Sequence, residues 1–190
     1  MESEVELHLR RLIFDRLTEI VAEHGVVTRT ELEALQVGNE VRRIIDRNRG
    51  IWNPRGMLAT LSVISSPSGR YADADVGDSL FAYDYRAGST DGDNKKMRRA
   101  FELGLPIILL RSIRQGVFVP VFPVYVVHDD FDNRQFMLTL DEGLRFVSDP
   151  LHLKPIEREY AIRDQTATSP TRLSRANYVG VQAKLHCVLT

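Results

Sequence analysis

The sequence predicts an α+β protein: a small helical head followed by a curved sheet, or small barrel, folded around one main helix. Three observations carry this. Apolar residues recur at three- and four-residue spacing through the first half-hundred residues, the period of a helix with one buried face. After Gly50 the pattern changes to short β-prone runs. A single helical stretch interrupts those runs, and Gly and Pro fall where the elements must stop.

In the head, Leu9, Leu12, Ile13, Leu17, Ile20 and Val21 make one apolar face, and Gly25 is the expected stop. Thr30 with Glu33 three residues on predicts a capping box that starts a second, short helix. A third helical stretch is expected through Val41, Ile44 and Ile45, broken by Arg47-Asn48-Arg49-Gly50. Strands are then expected over 58–64, 79–85, 106–110, 117–127 and 135–140. The polar stretch 129–133 reads as a hairpin connection between the last two. The interrupting helix is expected to be capped by Asp93 or Asn94, with Met97, Ala100, Phe101 and Leu103 as its apolar side. Gly104 ends it and Pro106 follows. Past Pro155 the pattern decays, and Ser169-Pro170-Thr171 reads as a linker or surface loop. The expected domains are a helical head over 1–48, a sheet domain over 49–150 and a C-terminal extension over 151–190.

Length and charge exclude several classes. The chain has 190 residues, about one domain and a fraction, enough to bury a real core. Hydrophobic residues make up 43% and charged residues 27%, which is ordinary for a globular protein and wrong for a disordered one. The net charge of −1 excludes a grip on nucleic acid by bulk charge. Residues 1–50 and 51–150 each carry −2 and residues 151–190 carry +3, so only the tail is basic; a solvated end is its plainest reading. One cysteine, Cys187, excludes a disulfide framework and a Cys-rich zinc site. No apolar run approaches the roughly 18 residues of a membrane span, and no signal segment opens the chain. A cytoplasmic location is therefore expected.

The stretch 65–78 is small, polar and acidic, and lies between two expected strands. In the strand after it, alternation puts Phe81, Tyr83 and Tyr85 on one face and Asp84 on the other. Aromatic rings beside carboxylates suit a flat heteroaromatic ligand: rings stack on its faces, and a carboxylate accepts from an exocyclic amine. The plainer alternatives stay open on composition alone. Tyr83 and Tyr85 also fit core or hairpin packing. Asp73, Asp75 and Asp78 also fit turns, or calcium ligands, although no glutamate completes the calcium-loop spacing.

Arg49-Gly50-Ile51-Trp52-Asn53-Pro54, then Ala59-Thr60-Leu61-Ser62-Val63, Gly69-x-Tyr71-x-Asp73, Tyr83-x-Tyr85, Asp93-Asn94 and Gly104-x-Pro106 form an ordered series. With the run 117–127 and Asp129-Asp130, the series resembles the SRA-like (SET and RING-associated) domains that precede HNH nuclease domains in bacterial modification-dependent restriction enzymes. The resemblance covers roughly 49–148. It implies a PUA-like curved β-barrel that flips a modified cytosine out of the duplex into a pocket. By the same resemblance Tyr71 is the stacking tyrosine and Asp73 the carboxylate that reads the base edge. Tyr83 or Tyr85 is then the opposite wall, and Trp52 has either a packing or a DNA role. The eukaryotic branch places its aspartate one residue further on, where this chain has Ala74, so Asp73 and Asp75 are both candidates.

Lys95, Lys96, Arg98 and Arg99, on the first turns of the interrupting helix, are candidates for phosphate contacts, with a solvated helix face as the alternative. Arg10 and Arg11 are further candidates in the head. An HNH domain needs a histidine base, metal ligands and usually zinc cysteines. After residue 150 the chain offers only His152, His186 and Cys187, and 173–187 reads as at most a degenerate start of such a domain. His24 and His128 are scattered, and no Ser-His-Asp order, phosphate-cradling loop or HExxH motif occurs. No catalytic residue, metal or cofactor is therefore expected. The expected function is a reader of 5-methylcytosine in duplex DNA, compatible with a homodimer. The alternatives are the specificity half of a restriction system with its nuclease lost or supplied in trans, and a PUA-like RNA-binding module.

Overall fold

The computed structural model describes residues 2–65, 80–86 and 92–140, and the backbone of 74–76. The expectations for Tyr71, Asp73, Asp78 and everything past residue 140 lie outside the described residues. Helix α1 (Ser3–His24) runs to Gly25, whose φ of 74° lets its N–H return to the Val21 carbonyl and close the helix. Short elements follow: β1 (Val27–Thr28), α2 (Arg29–Glu33), β2 (Leu35–Val37), β3 (Glu40–Arg42) and β4 (Ile51–Trp52). Next come β5 (Ser62–Ser65), β6 (Ala74–Val76), β7 (Leu80–Asp84) and α3 (Asp93–Leu103). The last are β8 (Ile107–Arg114), β9 (Val117–Asp130) and β10 (Gln135–Thr139).

The α+β class that the sequence predicts is the class observed. Seven strands form a curled half-barrel in the order β4-β5-β8-β9-β10-β7-β6, and β1 adds to β9. All its pairings are antiparallel except β5 with β8. Strand β9 is 14 residues long and serves both halves, pairing β8 and β1 at one end and β10 at the other. Register shifts at Met137/Leu138, Ile107/Leu109 and Ser112/Arg114 mark where the ladder bends.

The sheet separates two apolar clusters, and alternation along β8 assigns its side chains to them. Ile108 and Leu110 join Ile13, Leu17, Val27, Leu32 and Phe118 on the head side. Ile107 and Leu109 join Met97, Val126, Phe136 and Leu138 on the α3 side. Each fully buried Leu, Ile or Phe contributes about 1.5–3 kcal/mol relative to exposure. Head and sheet thus share one cluster, and β1 extends the sheet through Val27↔Phe118.

An ion pair fastens the same joint. Glu6 and Arg10 are both fully buried, one turn apart on α1, with Arg10 Nη2 2.6 Å from Glu6 Oε1. Arg10 also donates to the carbonyls of Thr60 (2.8 Å), Pro106 (2.6 Å) and Ala59 (3.1 Å). Glu6 accepts from the N–H groups of Leu58 and Ala59. Burial pulls the Arg10 guanidinium below its ordinary pKa and Glu6 works against that pull. Arg10 is therefore a structural clamp; no phosphate reaches it.

Four local expectations are corrected. The capping box is Thr28 with Glu31, two residues earlier than expected: Thr28 Oγ1 accepts from Glu31 N, and Glu31 accepts from Thr28 N at 2.7 Å. The expected third helix is a hairpin instead, β2 against β3 across Gly38-Asn39, because Gly38 at φ 58° supplies the turn. Val41 is accordingly 64% exposed, and on α1 Leu12 is also exposed. Gly92, not Asp93 or Asn94, is the N-cap of α3, and Phe101 stands outside its buried side.

Candidate nucleic-acid interface

Several of the motif residues meet at the start of α3. Asp93 opens the helix, and its carboxylate accepts from Asn53 Nδ2 at 3.0 Å. Arg86 pairs with its other oxygen, and Arg49 lies 3.6 Å away. Asn53 turns its amide oxygen to the Thr60 hydroxyl at 2.7 Å. Asn94, 1% exposed, accepts from Arg86 N at 3.1 Å and donates to Arg86 O at 3.4 Å, so one amide replaces a strand partner beyond the end of β7. These bonds join the segment before β5, the end of β7 and α3 into one frame.

Tyr83 belongs to that frame. Its hydroxyl lies 3.3 Å from the carbonyls of Gly50 and Ile64, where it donates to one at a time. Gly50 O also accepts from Ile64 N at 2.7 Å. A Cβ on Gly50 would stand 3.1 Å from the Tyr83 oxygen, a tight approach to which the ring would have to yield by a few tenths of an ångström. Tyr83 is 6% exposed, in the α3-side cluster.

Tyr85 is packed differently from the expected pocket wall. Its ring rests on Phe136, centroids 4.6 Å apart, with the Arg98 and Arg134 guanidinium groups 5.3 and 5.8 Å from its centroid. Its hydroxyl donates to Asp129, whose other oxygen takes Arg98 Nε at 2.6 Å. Burial, and then the neighbouring Asp130 charge, push the Asp129 carboxyl above its ordinary pKa. With its ring against Phe136 and its hydroxyl bonded to Asp129, Tyr85 is buried in the α3-side cluster.

Trp52 does not converge with the tyrosines. Consecutive strand residues face opposite ways, so Ile51 joins the Tyr83 cluster and Trp52 the head cluster, its Nε1 donating to Arg43 O at 2.9 Å. Asp75 lies in β6 with Phe81 as its Cα partner, on the edge of the sheet beside Tyr83's strand.

The α3 cations are mostly engaged. Lys96 donates to Met57 O and to Pro54 O at 3.5 Å. Arg98 pairs with Asp129, and Arg99 with Glu102 at 2.6 Å. Lys95 is exposed and makes no side-chain bond among the described residues. The same holds for Arg43, Arg47 and Arg55, which the sequence reading passed over. Asn53, Asp93 and Asn94 enter the sequence reading only as motif letters or caps and Arg86 does not enter it, because neither periodicity nor charge shows that four distant polar groups share a frame. Among the described residues no group of three metal-ligating side chains comes together, and no helix is long and apolar enough to cross a membrane.

No family model matches the chain, and no curated protein is similar to it. Solved structures similar to it include SRA domains. The SUVH5 SRA domain in complex with hemimethylated CG DNA is 18% identical, over 60% of this chain and 82% of that one, with a TM-score of 0.43. The same domain with methylated CHH DNA is 18% identical over 60% and 83%, TM-score 0.41. Bound to fully hydroxymethylated CG DNA it is 17% identical over 60% and 83%, TM-score 0.40.

Proposed function

We propose that this chain binds duplex DNA carrying a modified cytosine, 5-methylcytosine first, flips that base into a pocket beside β6 and β7, and does no chemistry on it. The observation that carries the reading is the frame at the start of α3. Arg49, Gly50, Asn53, Thr60, Tyr83, Asp93 and Asn94 are scattered over residues 49–94, yet direct bonds link Arg49 and Asn53 to Asp93, Asn53 to Thr60, Tyr83 to Gly50, and Asp93 and Asn94 to Arg86. They are part of the series on which the sequence resembles SRA-like domains, and their proximity supports the reading.

Tyr71 and Asp73 lie between β5 and β6 in the chain, and Asp73 directly precedes Ala74, whose Cα partner is Ala82, next to Tyr83. In this reading the Tyr71 ring stacks on the base and Asp73, or else Asp75, accepts from its exocyclic amine. Tyr83 is the fixed floor behind them: its hydroxyl is anchored between two carbonyls, so it orders the pocket without rearrangement. Phosphate contacts fall to Lys95 and Arg47, since Lys96, Arg98 and Arg99 already hold protein groups.

Gel shifts with matched unmodified, 5-methyl and 5-hydroxymethyl duplexes test the reading. The expected result is a preferred shift of a modified duplex with no cleavage in Mg²⁺ or Mn²⁺. Cleavage contradicts the non-catalytic part, and a preference for structured RNA contradicts the whole.

A further inference from the structure

Two exposed features lie outside that frame, and they complement each other. The first is a cleft of about 220 Å³ between α1 and the β3–β4 side. Leu9, Ile13, Met57 and Leu61 line it, with Trp52 and the exposed Val41. Its rim carries Arg42, paired with Glu40, and Arg43 and Arg55, whose side chains meet no carboxylate among the described residues. An apolar hole beside unpaired guanidinium groups suits one apolar side chain flanked by carboxylates.

The second feature has that composition. The β9–β10 hairpin turns through Asp130-Phe131-Asp132, and Phe131 is 61% exposed. Asp130 accepts from Asn133 N at 3.0 Å and Asn133 Nδ2 at 2.9 Å, which holds its carboxyl below the ordinary pKa, so it stays charged. Those bonds also fix the turn that presents the ring, with the Arg98 guanidinium 5.9 Å from its centroid.

We infer that the hairpin tip of one molecule docks in the Trp52 cleft of a second copy, with the Phe131 ring inside and the aspartates toward Arg43 and Arg55. Charge complementarity selects this occupant. The chain's own tail, 151–190, carries +3, the wrong sign for an arginine rim. Knob and hole are different patches, so a single contact leaves one knob and one hole free, and the contact is either made twice across a two-fold axis or propagated into rings or open chains. It does not rest on the DNA reading.

Trp52 is the sole tryptophan, so its emission reports on the cleft directly. Emission and sedimentation velocity would be followed from about 1 µM to about 500 µM, the range of a weak single-anchor contact. Mass and emission are expected to change together with concentration, and less so in high salt. Phe131→Ser and Arg55→Glu, both at exposed positions, are each expected to abolish the change. Mixed together, these two variants are expected to form a one-to-one dimer and nothing larger, because each keeps the half that the other lacks. A wild-type protein that stays monomeric throughout, association that survives Phe131→Ser, or a mixture that stays monomeric overturns the inference. A Trp52 response to added duplex DNA without self-association also overturns it and assigns the cleft to nucleic acid.

Discussion

Arg10→Met is expected to cost about 3–5 kcal/mol, because it strands the fully buried Glu6 carboxylate and three carbonyls that Arg10 serves. Replacing Glu6 and Arg10 together with apolar residues is expected to recover part of that loss, since no lone charge remains. Urea melts of the parent and the two variants check this; a single Arg10→Met within about 1 kcal/mol of the parent contradicts the clamp. Tyr83 and Gly50 give a second test at this scale. Gly50→Ala presses a Cβ toward the Tyr83 oxygen, whereas Tyr83→Phe removes that oxygen. Each alone is expected to cost about 1 kcal/mol, and the double variant less than the sum by at least about 0.5 kcal/mol. Strict additivity would show that the two groups do not touch.

At the scale of elements, the start of α2 supplies both an energy and a sign. Thr28→Ala is expected to cost about 1 kcal/mol, the usual worth of an N-cap. Glu31 reciprocates, and its bonds to the Thr28 hydroxyl and then to its backbone N–H hold the carboxyl below its ordinary pKa. A lowered folded-state pKa contributes stability that is present above the unfolded value, about 4.3, and lost as pH falls through the folded one. Glu31→Gln is therefore expected to destabilise at pH 7 and to approach the parent's stability near pH 3. An equal difference at both pH values contradicts the capping role.

Elements were legible where one physical signal dominates. The α3 boundary at Gly104, the α1 stop at Gly25 and the cores of β5, β7, β8, β9 and β10 follow from period and breakers alone. The β2–β3 hairpin was not, because two three-residue strands carry no measurable period and Ile44 and Ile45 imitate a helix face. Arg10 reads from sequence as a candidate phosphate contact because its carbonyl partners lie some 50 and 96 residues away and leave no local signal. The site was legible as a series of motif letters. Its geometry was not, since side-chain amides such as Asn53 and Asn94 leave no periodic trace.

For the whole molecule, the proposed reading ties the strength of DNA binding to the cations that the described residues leave unengaged. With Lys96, Arg98, Arg99 and Arg10 engaged in the protein, most of the cations first expected at phosphate are already held, and on the proposed reading a shallow slope of log K against log salt is expected, about −3 to −5. Replacing Lys95 and Arg47 together with Ala is expected to weaken methylated and unmethylated duplexes alike and to flatten the slope by up to about 2. A salt titration by fluorescence anisotropy reads both. A loss confined to the methylated duplex would place these side chains at the pocket instead.

On the proposed reading most discrimination comes from the pocket, with the work divided between Tyr71 and Asp73. Tyr71→Ala is expected to lower affinity for the modified duplex by roughly 1–3 kcal/mol, and Tyr71→Phe much less, because the stacking face survives. The most direct measurement is the anisotropy affinity of the parent and of Asp73→Ala for two duplexes that differ only in a single 5-methyl group. The account predicts that the parent prefers the methylated duplex. It also predicts that Asp73→Ala loses about 1–3 kcal/mol on that duplex while keeping its fold and its weak grip on the unmodified one. A parent that holds both duplexes equally would contradict the central claim, and a preference that survives both Asp73→Ala and Asp75→Ala would contradict the carboxylate's place in it.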